Sequence, residues 1–287
     1  MKKILITGAA GDVGSHLRRE LAGRYALRLS DIRPIKNLAR GEEFIRADCA
    51  NLRDMLRATK GVDAVVHLGG FSVEGAWEVI LRANILGTYN TFEAARRNGA
   101  RRIVFATSNH AVGFYRRDET IDHRVTPKPD SRYGVSKAFG EALGSLYADK
   151  YGMEVVCMRI GNVNPRPMDE RRLSIWLSPR DLAQLVSIAI DRPGIRFEIV
   201  YGISGNKRRW YDNSNAERLG YRPQDDSELW AEEVLRNEKP GADPRIELYQ
   251  GGTFVLAEEG GDPTRAPVKA QGPTVRTRPA KKKRKGK

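Results

Sequence analysis

The sequence predicts an α/β fold, a doubly wound parallel sheet of about seven strands, and three observations carry that prediction. Short apolar runs rich in Val, Ile and Leu recur from residue 3 to residue 201. Strands buried on both faces read this way. Helix-length segments separate the runs, as parallel crossovers require. The first run leads at once into Gly8-Ala-Ala-Gly11-Asp12-Val13-Gly14 and then a helix. A tight glycine turn with backbone N–H groups at a helix start suits a pyrophosphate. We therefore read residues 1–256 as a single Rossmann-type domain. Its nucleotide-binding core lies mainly in 1–160 and a small C-terminal substrate-binding region in 161–256. Residues 257–287 form a disordered basic tail.

The bounds agree with this. The 287 residues, 40% hydrophobic and 8% aromatic, suit a globular protein with a real core. No apolar run reaches the ~18 residues of a membrane span. Met1-Lys-Lys passes straight into a strand with no signal-like apolar region, which points to the cytoplasm. Cys49 and Cys157 stand far apart and read as buried thiols, not as a disulfide or metal framework. The net charge is +14, but residues 257–287 hold ten Lys/Arg and three Asp/Glu and so supply +7 of it. The remainder is a mild bias that suits anionic small molecules. Lys281–Lys285 has the look of a nuclear-import or nucleic-acid patch. It is read here as a solvated tail without a nucleic-acid partner.

In chain order, residues 3–7 form the first strand and Ser15 to Ala22 an amphipathic helix. The second strand, 26–30, ends at Asp31, followed by Ile32. A carboxylate there takes the adenosine ribose hydroxyls and repels a 2′-phosphate, favouring NAD over NADP. Arg33 is the countersign, because an arginine can accommodate that phosphate. The third strand, 43–47, ends at Asp48, which either meets the adenine or serves as a turn aspartate. Residues 64–70 form the fourth strand. His67 within it reads as a core histidine, while Leu68, Gly69 and Gly70 let backbone approach the cofactor. Ser72 in the following loop is either a substrate contact or an ordinary loop serine. A long helix runs from Asn84 to Arg96. The fifth strand, 102–108, carries Ser108 at its carboxyl end, where open α/β sheets place ligands. Asn109 and His110 follow as further donors and acceptors, with packing as the other reading of His110.

Tyr133-Gly-Val-Ser-Lys137 opens the next helix. Residues four apart share a helix face. A phenol, with its reference pKa of about 10, is a poor base at neutral pH. A nearby ammonium favours the phenolate, and the pair can then accept a proton. The sixth strand, 154–160, ends at Ile160, and Asn162 follows in a turn. One of the arginines at 171 and 172 could grip a carboxylate bidentately. Residues 197–201 form the seventh strand, and Gln250 to Phe254 closes the folded part.

The glycine turn, Ser108 and the Tyr133–Lys137 pair together resemble the extended short-chain dehydrogenase/reductase superfamily. Within it, residues 1–255 resemble NAD-dependent uronate dehydrogenases through His67-Leu-Gly-Gly-Phe-Ser-Val-Glu74, Ser108-Asn-His110, Leu173-Ser-Ile-Trp176, Trp210-Tyr-Asp-Asn-Ser214 and Gln250-Gly-Gly-Thr-Phe254. The resemblance implies oxidation of the C1 hydroxyl of cyclic galacturonate or glucuronate to an aldarolactone. It implies a catalytic Ser108, Tyr133 and Lys137, with Asn84 supporting the site. It also implies a sugar lined by Ser72, Asn109, His110, Asn162, Arg171 and Phe254, Arg171 on the carboxylate. Asn162 departs from the serine expected there. Pairing of two copies through the helices near 76–98 and 133–151 is implied as well.

Two other readings share these features. A nucleotide-sugar epimerase or dehydratase would use the same cofactor core. Ser108-Asn-His110 lacks the acid pair of a dehydratase, however, and residues 161–256 leave little room for a nucleotide pocket. An NAD-binding regulator acting through its basic tail would have no need of a proton acceptor.

Overall fold

The structure, a computed structural model, describes residues 1–238 and 243–257. The predicted tail, with Lys281–Lys285, lies outside the described residues from 258 onward. Seven strands pair in parallel in the order β3-β2-β1-β4-β5-β6-β9. These are β1 Lys3–Thr7, β2 Ala26–Asp31, β3 Glu42–Arg46, β4 Ala64–His67, β5 Arg102–Ser108, β6 Glu154–Ile160 and β9 Phe197–Gly202. A small second pair, β7 Asn162–Val163 and β8 Trp176–Leu177, lies beyond β6.

Alternation along each strand feeds two cores. Ile4, Ile6, Val66, Val104, Val156 and Met158 enter one cluster, which α1 (Asp12–Glu20) and α7 (Pro179–Asp191) cover through Leu17, Leu182 and Val186. Leu5, Val65, Ile103, Phe105 and Cys157 enter the other. There α2 (Leu52–Ala58), α4 (Gly87–Arg97) and α5 (Arg132–Tyr151) supply Met55, Phe92 and Tyr147. Each fully buried Leu, Ile or Val contributes roughly 1.5–3 kcal/mol. Both cysteines are free; Cys157 is buried and Cys49 partly so. Among the described residues, no helix is long and apolar enough to cross a membrane.

Strand order reverses between β1 and β4, and that switch point opens a crevice at the carboxyl edge of the sheet. Gly8 lies on one wall with φ of 67°, and a Cβ there would come within 2.8 Å of Gly69 N on the other. Only glycine combines that backbone conformation with so close an approach.

Several element boundaries differ from the prediction, among them the fourth strand, which ends at His67 and not at 70. Helix α1 begins at Asp12, inside the glycine motif, because the Gly11 N-cap brings no side-chain cap to mark the start. The helix expected from Asn84 begins earlier, as α3 at Trp77–Ile80, and continues through a π-helical turn at Leu81–Leu86. Such a turn carries an inserted residue that has no signature in hydrophobic period. The segment before Pro179 holds α6 (Glu170–Ile175), whose N-cap Asp169 accepts from Arg172 N.

A buried ion pair ties the carboxyl edge of the sheet to α5. Arg159 on β6 and Glu141 on α5, exposed by 1% and 5%, are linked at 2.9 Å. Thr107 Oγ1 donates to Glu141 at 2.9 Å, and Arg159 Nη1 donates to the Tyr201 hydroxyl at 3.2 Å. The pair therefore joins β5, β6, β9 and α5 directly behind Ser108 and Tyr133. With each charge compensated by several hydrogen bonds, it fixes geometry more than it adds net stability.

Candidate active site

The carboxyl ends of β5 and β6, the start of α5 and the C-terminal strap bound a cavity of about 400 Å³. Ser72, Ser108, His110, Tyr133, Asn162, Arg171 and Phe254 all line it. Five of the six sugar-lining candidates thus meet the catalytic candidates Ser108 and Tyr133 in one place. Asn109, the sixth, lies just behind. With its amide turned to satisfy its neighbours, the nitrogen donates to the Ile160 carbonyl at 3.1 Å and the oxygen accepts from Arg171 Nη2 at 2.8 Å.

Ser108 ends β5 and caps the short 3-10 turn Asn109–Val112, its Oγ accepting from His110 N at 3.2 Å. Tyr133 and Lys137 lie in the first turns of α5, which Ser131 caps by accepting from Gly134 N at 3.0 Å. Glu74, from the Ser72 loop, accepts from Tyr133 N at 2.9 Å and so ties that loop to the helix start. A buried carboxylate at a helix N-terminus also satisfies the dipole there.

Lys137 Nζ donates to the Ala106 carbonyl at 2.8 Å and lies 5.4 Å from the centre of the Tyr133 ring. Burial pushes the Tyr133 phenol up to about 12, with the Asp130 charge adding to the rise and the Ser108 hydroxyl opposing it. Burial also pulls the Lys137 ammonium down to about 8. The expected lowering of Tyr133 by Lys137 therefore does not dominate in the protein alone. Desolvation does, because the ammonium is directed at a carbonyl.

Arg171 is anchored as well as placed. Its Nε donates to the Gln250 carbonyl at 2.8 Å, and Gly252, with φ of 62°, passes so close that a Cβ there would lie 2.6 Å from Arg171 Cδ. Phe254 stacks on His110 at 3.7 Å, roofing the cavity. Gln250 itself is clamped by bonds from its side chain to the Arg116 and Glu119 carbonyls, at 2.9 and 3.0 Å. Asn162 accepts from Asn164 at 2.8 Å and keeps its place on the lining.

The crevice fits a dinucleotide. The cap of α1 is not filled by a side chain, so the first-turn N–H groups of Asp12, Val13 and Gly14 are left for a ligand, while the Gly11 N–H donates to the Gly8 carbonyl at 3.0 Å. Asp31 is buried at the end of β2, accepting from Ala10 N at 3.0 Å and Arg33 N at 2.9 Å. Arg33 is folded back, donating to the Ala10 carbonyl at 2.8 Å and pairing with Asp31 at 3.6 Å. Arg33, the candidate for a 2′-phosphate, is thus engaged with the Ala10 carbonyl and with Asp31. Ile32 and Asp48 line a second cavity of about 410 Å³ beyond it, and Asp48 is held by Arg82 at 2.6 Å. Leu68, Gly69 and Gly70 form the opposite wall, and Ile160 stands at the end of β6.

Asn84 is spent on structure. Its amide accepts from Phe71 N at 2.7 Å and donates to the Phe71 carbonyl at 2.9 Å and to Ser136 Oγ at 3.0 Å. It holds the Ser72 loop against α5 and does not itself face the crevice with a free group. His67 is a core residue bonded to Thr7 Oγ1 at 2.7 Å, and burial lowers its pKa to about 3, keeping it neutral. Glu74, Asp130, Glu141 and Arg159 were not singled out from sequence as functional. The only available signal was an acidic residue before the capped start of α5.

Comparison with known proteins follows the same outline. The model of the NAD dependent epimerase/dehydratase family matches residues 4–190. A uronate dehydrogenase of Pseudomonas putida is 47% identical, with 89% of this chain and 96% of that one aligned. A solved glucuronic acid dehydrogenase from Chromohalobacter salexigens is 44% identical with a TM-score of 0.87, covering 91% of this chain and 98% of its own. A variant uronate dehydrogenase from Agrobacterium tumefaciens, solved with NAD, is 41% identical with a TM-score of 0.86, covering 90% and 98%.

Proposed function

This chain belongs to the uronate dehydrogenases of the NAD dependent epimerase/dehydratase family, and we propose from its site how it performs NAD-dependent oxidation of a hexuronic acid. The observation that carries the reading is the convergence of Ser108, Tyr133 and Arg171 on one cavity, with Lys137 beside Tyr133. A proton acceptor and a carboxylate clamp in one small space suit a sugar acid, galacturonate or glucuronate.

The glycine turn at 8–14, Asp31, Leu68 to Gly70, Ile160 and Lys137 are the residues that would hold NAD. When bound, NAD supplies an oxidised nicotinamide that takes the hydride from the sugar C1 and adds positive charge to the site. Arg171 binds the C6 carboxylate, and this end-on grip turns C1 towards Tyr133. Ser108 donates to or accepts from the C1 oxygen and keeps its proton aimed at the phenol. Tyr133 takes that proton as the C1–O bond becomes the lactone carbonyl. Lys137, held by the Ala106 carbonyl, offsets the charge that forms on the phenolate oxygen. Phe254, stacked on His110, gives the cavity an apolar side next to these groups. The reading is tested by the first product: uronate and NAD should give the aldarolactone, seen by NMR before any ring opening. An open-chain product formed directly would contradict C1 oxidation of the ring.

We further assign a homo-oligomer, which the apolar exposure on two neighbouring helical segments supports. Leu81, Leu86 and Tyr89 on one, and Val135, Leu146 and Tyr151 on α5, are all 41–47% exposed. Single exposed apolar residues are ordinary, but a shared face of this kind suits a partner copy. Leu86→Glu with Leu146→Glu is expected to give monomer by light scattering at concentrations where the wild type is dimeric or larger. An unchanged mass would move the interface elsewhere.

A further inference from the structure

One buried carboxylate beside the cavity has no role in the reaction just described. The Asp130 side chain is 0% exposed, and its Oδ2 lies 2.7 Å from His110 Nδ1. Its Oδ1 accepts from the Ser131 hydroxyl at 2.8 Å, and its own N–H donates to the His110 carbonyl at 3.3 Å. Two glycines make room for it. A Cβ at Gly113 would lie 1.8 Å from Oδ2, and one at Gly251 would lie 2.1 Å away. Both glycines have ordinary negative φ, −63° and −65°, so backbone conformation does not demand glycine at either position. Space for the carboxylate does. Gly251 N donates to the Gly113 carbonyl at 2.8 Å, so the two close on Asp130 as a clamp.

The His110 ring is equally fixed. It stacks on Phe254 at 3.7 Å and meets Tyr133 edge-on at 5.8 Å. Among the described residues its ring hydrogen bonds only to Asp130, and it lines the cavity. A carboxylate only accepts, so Nδ1 must be the donor in that bond. In the neutral ring Nε2 is then a bare lone pair.

We infer that Asp130 is a positioning residue that holds the proton of His110 on Nδ1, so that Nε2 accepts a hydroxyl of the bound sugar. The assignment rests on the sugar-acid reading of the cavity for its ligand. It also deepens that reading, because a lone pair at this wall accepts a hydroxyl and repels a carboxylate. The acid end of the sugar is thereby directed to Arg171 and away from His110. Asp130 does not touch the reacting atoms and acts on the sugar through the imidazole.

The test reads the tautomer and the kinetics together. The chain has four histidines, so ¹⁵N-labelled wild type is compared with His110→Gln to assign the His110 ring. Wild type should show the proton on Nδ1 and Asp130→Asn a shift towards Nε2–H, since a carboxamide can donate to Nδ1. In Asp130→Asn the KM for uronate should rise about tenfold, the loss of one good hydrogen bond, with kcat and the Kd for NAD within about twofold. A purely structural Asp130 would lower Tm without moving the tautomer or separating KM from kcat. Wild type with its proton on Nε2, or a variant with raised KM and an unmoved tautomer, would overturn the inference. If uronates prove not to be substrates, the functional reading fails while the wild-type tautomer still decides the role of Asp130.

Discussion

Tyr133→Phe is expected to lower kcat by about 10³-fold or more while leaving the Kd for NAD within about twofold. The phenol oxygen is the only atom removed, and a positioned acid–base group is worth roughly 10²–10⁴ in rate. The ring itself keeps its packing against His110 and Phe254, 5.8 and 6.1 Å between centres, so the cavity should keep its shape. The N–H that Glu74 accepts belongs to the backbone and survives the change. The pH dependence of the wild type follows from the same two groups. Burial lifts the phenol to about 12, so the phenolate fraction grows as pH rises through neutrality. Burial lowers the ammonium to about 8, so its charge is lost above that value and its support for the phenolate goes with it. Activity should therefore climb from neutral pH and level off or fall beyond about pH 8. Loss of NAD binding in Tyr133→Phe would instead make Tyr133 a structural residue.

Arg171→Ala is expected to raise KM for uronate about 100-fold with a much smaller change in kcat. A bidentate arginine–carboxylate pair is among the stronger polar contacts, and truncation leaves a charged ligand group without its partner in a confined site. Arg171→Lys should recover little of the loss, because an ammonium cannot present two parallel N–H groups. Gly252→Ala provides the same test without removing a polar group. Its Cβ would lie 2.6 Å from Arg171 Cδ and 2.7 Å from Nε, at a φ of 62° that side chains resist. It should pry the guanidinium from the Gln250 carbonyl and raise KM in the same direction. An unchanged KM in Arg171→Ala would remove that residue from the carboxylate site.

The centre of the sheet was readable because β1, β4, β5 and β6 are buried on both sides, and such strands leave apolar runs, whereas the edge strand β3, Glu-Glu-Phe-Ile-Arg, is only partly buried. Tyr133 and Lys137 were readable for a similar local reason: one helical turn joins them. What depended on distant pairing was not. Glu74 meets Tyr133 N across 59 residues, Arg171 meets Gln250 across 79, and Asp130 reaches His110 across 20. No period or spacing in the chain encodes those contacts. The start of α1 was placed late because Gly11 carries no capping side chain, and the π-helical turn around Asn84 leaves apolar spacing unmarked. Lys137 was expected to lower the pKa of Tyr133, yet burial dominates both groups, moving the phenol up and the ammonium down. Sequence shows which residues neighbour one another on a helix face; it does not show how dry that face is.

This site is expected to oxidise sugars that carry a carboxylate and to leave neutral sugars largely untouched. Purified protein and NAD are mixed in turn with galacturonate, glucuronate, galactose and glucose, and NADH formation is followed by absorbance. Rapid reduction is expected with one or both uronates and little with the neutral sugars, because only the uronates carry the carboxylate proposed to bind Arg171. Equal rates with the neutral sugars, or no reduction with either uronate, would contradict this expectation.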